Sequence, residues 1–335
     1  MEPVLAGQTN ESRGGGLPAP CGQAQHAALY GRVSQDLKGD LMCDRDTLED
    51  TIEYQLRCGL SRRHFGALTL GAGLTSWLAP VAHGDELAVT ESEVDIHTPD
   101  GTADAYFVRP AKGAYAAVLV WPDIYGLRPA FRQMGKRLAG AGYSVLVVNP
   151  FYRKQRAPTA PEHPDFDDPA THAALMDLVN GVRDPAVTQT DAVAFVNWLD
   201  AQSSVDHKKP IGTTGYCMGG PLTMRTAATV PQRIGAGASF HGGGLVTDKP
   251  ESPHLLIPKM KAHYLFAIAE NDDQRQPEAK DVLRDAFAKA KLPAEVEVYA
   301  GTIHGWCPID SKVYNHDQAE KAWGRMLVLF KSALV

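Results

Sequence analysis

The sequence predicts an α/β fold, a doubly wound and mostly parallel sheet with helices on both faces. Three observations predict it. Apolar runs of strand length alternate with amphipathic helical stretches from about Asp85 onward, the order that builds parallel β-α-β units. Ala116 to Trp121 (AAVLVW) and Tyr143 to Val148 (YSVLVV) are apolar at nearly every position, as strands covered on both faces require. Finally, Gly215-Tyr216-Cys217-Met218-Gly219-Gly220 joins a strand end to a helix start. Such a Gly-x-nucleophile-x-Gly turn lifts one reactive side chain above a sheet of this kind.

The elements follow in order. Val94 to Thr98 and Ala103 to Val108 read as an opening hairpin around Pro99-Asp100-Gly101. The strand at Ala116 to Trp121 is followed by a helix over Phe131 to Ala139 and the strand at Tyr143 to Val148. Asp184 to Asp200 is an amphipathic helix with Val187, Ala194, Phe195 and Leu199 among its apolar positions. Ile211 to Thr214 is the end of a buried strand, and Pro221 to Thr229 begins a helix after the turn. Ile234 to Phe240, His263 to Ala269 and Ala294 to Tyr299 are further strands. A helix from Pro277 to Lys291 separates the last two, with proline suited to its first turn. Asp317 to Leu334 closes the chain as an apolar-faced helix. The stretches Tyr152 to Thr171 and Gly242 to Pro258 carry no readable pattern; within the first, the acidic, proline-rich run Ala157 to Pro169 suits a lid or surface decoration.

The chain has 335 residues, 44% hydrophobic and 21% charged, with a net charge of -6. Residues 85–335 have the length of one domain of this architecture. The mildly acidic balance and the lack of a basic, aromatic-interleaved patch argue against a nucleic acid partner. CxxC, HExxH and paired-histidine spacings are absent, so no metal is expected.

Residues 1–84 read as a leader outside the fold. The first 25 are rich in glycine, proline and small polar residues, a composition that disfavours a packed core. Ser61-Arg62-Arg63-His64-Phe65 then precedes the moderately apolar stretch Gly66 to Ala82, with small residues in Ala82-His83-Gly84. That pattern matches a twin-arginine export signal and its cleavage site. The stretch is interrupted by Gly71 and Gly73 and is short for a stable membrane anchor. Transient engagement of the twin-arginine export machinery and a periplasmic or secreted location follow as expectations. The long leader leaves Met42 as an alternative start. Removing it takes Cys21, Cys43 and Cys58, leaving only Cys217 and Cys307.

A thiol at the tip of a strained strand-to-helix turn needs a base, and the base needs an orienting group. The sequence supplies both in the order nucleophile, acid, histidine. Asp272 follows the strand ending at Ala269, and His304 follows the strand ending at Tyr299. Both positions lie just beyond strand carboxyl ends, where such a sheet gathers catalytic groups. Singly, each has a plainer reading: buried filler for the cysteine, a helix cap for the aspartate, a solvated loop residue for the histidine. Their joint occurrence favours catalysis. Asp273 competes with Asp272, although counting from the strand end favours Asp272. His241, in Ser239-Phe240-His241-Gly242, also follows a strand and reads as a structural histidine or a pocket wall.

Together with Trp121-Pro122-Asp123-Ile124-Tyr125-Gly126 and Asn149-Pro150-Phe151-Tyr152-Arg153, these residues resemble the dienelactone hydrolases (carboxymethylenebutenolidases) of the α/β-hydrolase superfamily. The resemblance spans essentially all of residues 85–335. It implies a Cys217–His304–Asp272 triad, with the amides of Ile124 and Met218 as the oxyanion hole. Asp123 stands where the family usually has a glutamate that helps deprotonate the thiol. Arg153 stands where the family grips a substrate carboxylate, and Tyr125 and Trp306 would contribute to the substrate site. The family's second arginine, shortly after the histidine, is missing from Cys307-Pro308-Ile309-Asp310. The implied activity is hydrolysis of small esters or lactones, anionic ones included, through a thioester acyl-enzyme, with no metal or organic cofactor. Two other readings stay open: a thiol redox or sensing protein using Cys217 and Cys307, and a non-catalytic binding protein on the same scaffold.

Overall fold

The computed structural model describes residues 86–161 and 164–335. The expected leader, its arginine pair and its cleavage stretch lie outside these residues.

The predicted sheet is present, with eight strands. They are β1 (Val89–Thr98), β2 (Gly101–Pro110), β3 (Ala117–Trp121), β4 (Ser144–Val148), β5 (Ile211–Tyr216), β6 (Ile234–Phe240), β7 (His263–Ala269) and β8 (Ala294–Tyr299). Their spatial order is β1-β2-β4-β3-β5-β6-β7-β8. The opening hairpin is longer than the sequence suggested and pairs from Val89↔Pro110 to Thr98↔Gly101. It joins β4 antiparallel, and all later pairings are parallel. From β3 the chain winds outward to β4, then returns to place β5 on the other side of β3. The winding direction therefore reverses between β3 and β5. In sheets of this kind the ligand crevice opens beyond the carboxyl ends of the strands at that reversal.

Strand β3 shows why the central strands are apolar throughout. Ala117, Leu119 and Trp121 enter one core, while Val118 and Val120 enter the other. Helices α1 (Pro129–Gly140) and, at the chain end, α7 (His316–Ala333) cover the second face with Phe131, Met134, Leu138, Trp323, Met326 and Phe330. The first face is covered by α3 (Pro185–Asp200), α4 (Gly219–Thr229) and α6 (Ala279–Ala290) through Phe195, Leu199, Leu222, Met224, Leu283 and Phe287. Burying a side chain of this size contributes roughly 1.5–3 kcal/mol, so the two cores fix where β3 and β5 end.

Three short helices lie in stretches without a readable period. Helix α2 (Pro169–Asn180) starts at Asp168, whose carboxylate accepts the Thr171 amide at 2.8 Å, and buries only Leu175, Leu178 and Val179. Its apolar stripe is too narrow to stand out from the polar run before it. The others are α5 (Glu270–Arg275) and a 3-10 turn at Pro253–Lys259. No described helix is long and apolar enough to cross a membrane.

Candidate active site

The reversal between β3 and β5 is occupied by the cysteine turn. Cys217 has φ of 53°, a left-handed conformation that costs a non-glycine residue of order 1–3 kcal/mol. Local bonds hold it there. Its amide donates to the Phe240 carbonyl at 3.1 Å and to His241 Nδ1 at 3.2 Å, and its carbonyl accepts from the Gly220 amide at 3.0 Å. The glycines are set by contact. A Cβ on Gly215 would lie 2.1 Å from the Gly219 carbonyl oxygen, and one on Gly219 would lie 2.3 Å from that of Trp121. The second contact also shows how tightly the elbow sits against the end of β3. The loop Pro122-Asp123-Ile124-Tyr125-Gly126 leaves from that point.

The three residues that sequence reasoning grouped as a triad come together. His304 Nδ1 lies 2.8 Å from Asp272 Oδ2. Asp272 lies in α5, just after β7, as the spacing required. The competing Asp273 instead holds Lys280 Nζ at 2.6 Å, so it is Asp272 that meets the histidine. The histidine loop is tied to the same strand end: Asn271 Oδ1 accepts the His304 amide at 2.9 Å, and Thr302 Oγ1 accepts the Glu270 amide at 3.3 Å. No nitrogen or oxygen partner among the described residues reaches His304 Nε2, whereas the Cys217 sulfur interacts with the ring by charge and hydrogen bonding. Burial alone would push the imidazole toward neutrality. Asp272 and then Cys217 outweigh it and hold the ring protonated well above the ordinary 6.5. A cationic imidazole between a carboxylate and a thiol stabilises the thiolate form of the cysteine. The backbone amides of Ile124 and Met218 flank the elbow and donate to no acceptor among the described residues. Two unused donors beside a nucleophile are what an oxyanion hole requires.

Other expected site residues are placed differently. Asp123, expected to help deprotonate the thiol, is engaged by a cation instead: both its oxygens are held by Arg128, at 2.6 and 2.9 Å, and Oδ1 also accepts the Tyr125 amide at 2.9 Å. Arg153 is not offered to a ligand. Four of its hydrogen bonds go to Asp191 on α3 and Asp100 in the hairpin turn, at 2.6–3.1 Å, and its guanidinium lies over the Tyr152 ring. That pairing joins the hairpin to a helix. Trp306 has 0% exposure and stacks on Tyr299 with centroids 4.9 Å apart, so it is core. Tyr125 is half-buried in the loop beside the elbow, with its ring centroid 5.3 Å from the Arg128 guanidinium. Cys307 packs in the α1/α7 core with Tyr216 and Phe240, whereas Cys217 belongs to the opposite core, and neither forms a disulfide. Burial drives the Cys307 thiol well above its ordinary pKa, the opposite of what a redox-active cysteine needs. Among the described residues no cluster of three metal-ligating side chains exists.

His241 carries more weight than the sequence indicated. It also has a positive φ, 39°, and its ring lies 5.1 Å from that of His304, edge to face. Because its Nδ1 accepts the Cys217 amide, the ring proton sits on Nε2 and the imidazole is neutral. Burial, followed by the charge on His304, depresses its pKa well below 6.5. The unfolded chain therefore takes up a proton below pH 6.5 that the folded chain refuses, and stability falls as pH falls. One such group contributes about 1.4 kcal/mol per pH unit down to its folded pKa. Urea titrations at several pH values below 6.5 should show a shallower acid slope for His241→Gln than for the parent; an unchanged slope would contradict the assignment.

Known proteins resemble this chain in fold and family. The dienelactone hydrolase family model matches residues 103–334. A Salmonella typhi protein assigned as a carboxymethylenebutenolidase is 29% identical over 254 residues, covering 70% of this chain and 90% of that protein. A Bradyrhizobium protein assigned as a 2-oxo-3-(5-oxofuran-2-ylidene)propanoate lactonase is 24% identical over 243 residues, covering 71% and 92%. A Klebsiella pneumoniae crystal structure assigned as a dienelactone hydrolase superposes with a TM-score of 0.63 at 26% identity, covering 73% of this chain and 99% of that one. With the α/β-hydrolase sheet, the elbow and the family match in hand, the chain belongs to the dienelactone hydrolase family, and it is a hydrolase by kinship.

Proposed function

We propose that this protein hydrolyses small esters or lactones through a thioester on Cys217. The observation that carries the reading is the line Asp272–His304–Cys217 at the reversal between β3 and β5, with its 2.8 Å carboxylate–imidazole contact and its left-handed cysteine. The pair rests as thiolate and imidazolium. The sulfur adds to the substrate carbonyl, and the amides of Ile124 and Met218 bind the oxyanion that forms. Each such donor is worth about 3–4 kcal/mol in comparable sites. Collapse breaks the C–O bond, and the alkoxide or enolate takes the proton from His304. The neutral imidazole then removes a proton from water as water attacks the thioester, and collapse returns the thiolate and the carboxylic acid.

The fate of Arg153 bears on substrate choice. With that guanidinium committed to Asp191 and Asp100, no arginine from the expected pair is left to grip a carboxylate. Neutral esters and lactones are thus the favoured class. The test is hydrolysis of p-nitrophenyl acetate and of a simple enol lactone, with and without an appended carboxylate, by the parent and by Cys217→Ala. Turnover dependent on Cys217 supports the reading, and the carboxylate should not improve kcat/KM. Equal turnover by the variant would remove it.

A further inference from the structure

Arg128 joins the loop after β3 to the loop carrying His304, and sequence reasoning passed over it. It caps α1 and uses all five of its N–H donors. Nη1 reaches Asp123 Oδ1 at 2.6 Å and the Gly126 carbonyl at 3.4 Å; Nη2 reaches Asp123 Oδ2 at 2.9 Å and Asp310 Oδ1 at 3.0 Å; Nε reaches Asp310 Oδ2 at 2.7 Å. Its guanidinium lies over the Phe131 ring at 4.8 Å and the Tyr125 ring at 5.3 Å, with the side chain only 12% exposed. A planar fork of five donors grips both carboxylates bidentately at once, which a three-donor ammonium cannot do.

What it joins is functional. Asp123 and Gly126 bracket Ile124, one of the two amides assigned to the oxyanion hole. Within the same turn the Tyr125 amide donates to Asp123 Oδ1 and the Gly126 amide to the Asp123 carbonyl, both at 2.9 Å. Holding Asp123 and Gly126 therefore sets the direction of the Ile124 N–H. Asp310 lies in the loop that carries His304. Resting on the thioester mechanism above, the geometry points to Arg128, bridged between Asp123 and Asp310, as a positioning residue that registers the oxyanion-hole loop against the histidine loop. Asp123 then belongs to the clamp, and thiolate formation falls to His304 alone.

The experiment separates these roles. Arg128→Lys removes the fork, and Asp310→Ala breaks its tie to the histidine loop at a side chain 44% exposed, where folding is not at risk. Three quantities are measured on each: kcat and KM for p-nitrophenyl acetate, inhibition by butyraldehyde, whose thiol adduct places its oxygen in the same hole, and the rate of Cys217 alkylation by iodoacetamide, which needs no oxyanion hole. The expected result is a fall in kcat of about 10–100-fold with KM little changed, weaker aldehyde inhibition in proportion, and unchanged alkylation. An unchanged kcat in both variants would overturn the clamp, as would alkylation that slows in step with kcat. Hydrolysis by the parent that survives complete alkylation would sink the Cys217 mechanism itself, a failure recognisable because it needs no variant.

Discussion

Replacing Cys217 with alanine is expected to lower turnover of p-nitrophenyl acetate by roughly 10⁴–10⁶-fold, the range seen when a triad nucleophile is removed. The substitution isolates chemistry from folding. Alanine at φ of 53° is as strained as cysteine, and the amide bonds to Phe240 and His241 belong to the backbone. Only the sulfur is lost. Circular dichroism and urea unfolding should therefore match the parent, while the stopped assay shows little beyond background. Cys217→Ser should be nearly as inactive, since a hydroxyl in place of the thiolate leaves His304 holding a proton it cannot use.

Asp272→Asn should cost about 10⁴-fold in kcat, by analogy with loss of the acid from an Asp-His pair. The carboxylate is the largest influence holding His304 protonated against burial. Without it the ring becomes neutral near pH 7, and the thiolate loses its counter-ion. Iodoacetamide reports this directly. In the parent, alkylation of Cys217 should persist into mildly acidic solution; in the variant it should require alkaline solution, as for a thiol without a cationic partner. Asp273→Asn is the control, because that carboxylate serves Lys280. Activity lost in Asp273→Asn and kept in Asp272→Asn would contradict the hydrogen bond between His304 and Asp272.

What could be read from the sequence divides along a physical line. Strands β3, β4 and most of β7 were legible because burial on both faces leaves little choice but apolar residues; the edge strand β8 was legible from its alternation of glutamate with valine. That Cys217, Asp272 and His304 would meet was legible because the fold fixes where strand ends go and the chain itself marks those ends. Side-chain partners were not. Arg153 faces Asp191 only because α3 passes beside the hairpin turn, and Asp123 meets Arg128, five residues later, only because the residue before α1 turns its side chain back. Trp306 lies two residues after His304, yet Gly305, with φ of 94°, lies between them and the indole goes into the core. Helix α2 was hidden by the acidic run before it, although Asp168 and Pro169 are ordinary helix-start signals.

The most direct test is the mass of the enzyme caught in mid-turnover. Protein mixed with p-nitrophenyl acetate and quenched in acid within one turnover should carry one acetyl group, mapped to the peptide containing Cys217 and removed by hydroxylamine. An acetyl group on any other residue, or none at a time when product is already forming, would contradict a thioester at that position.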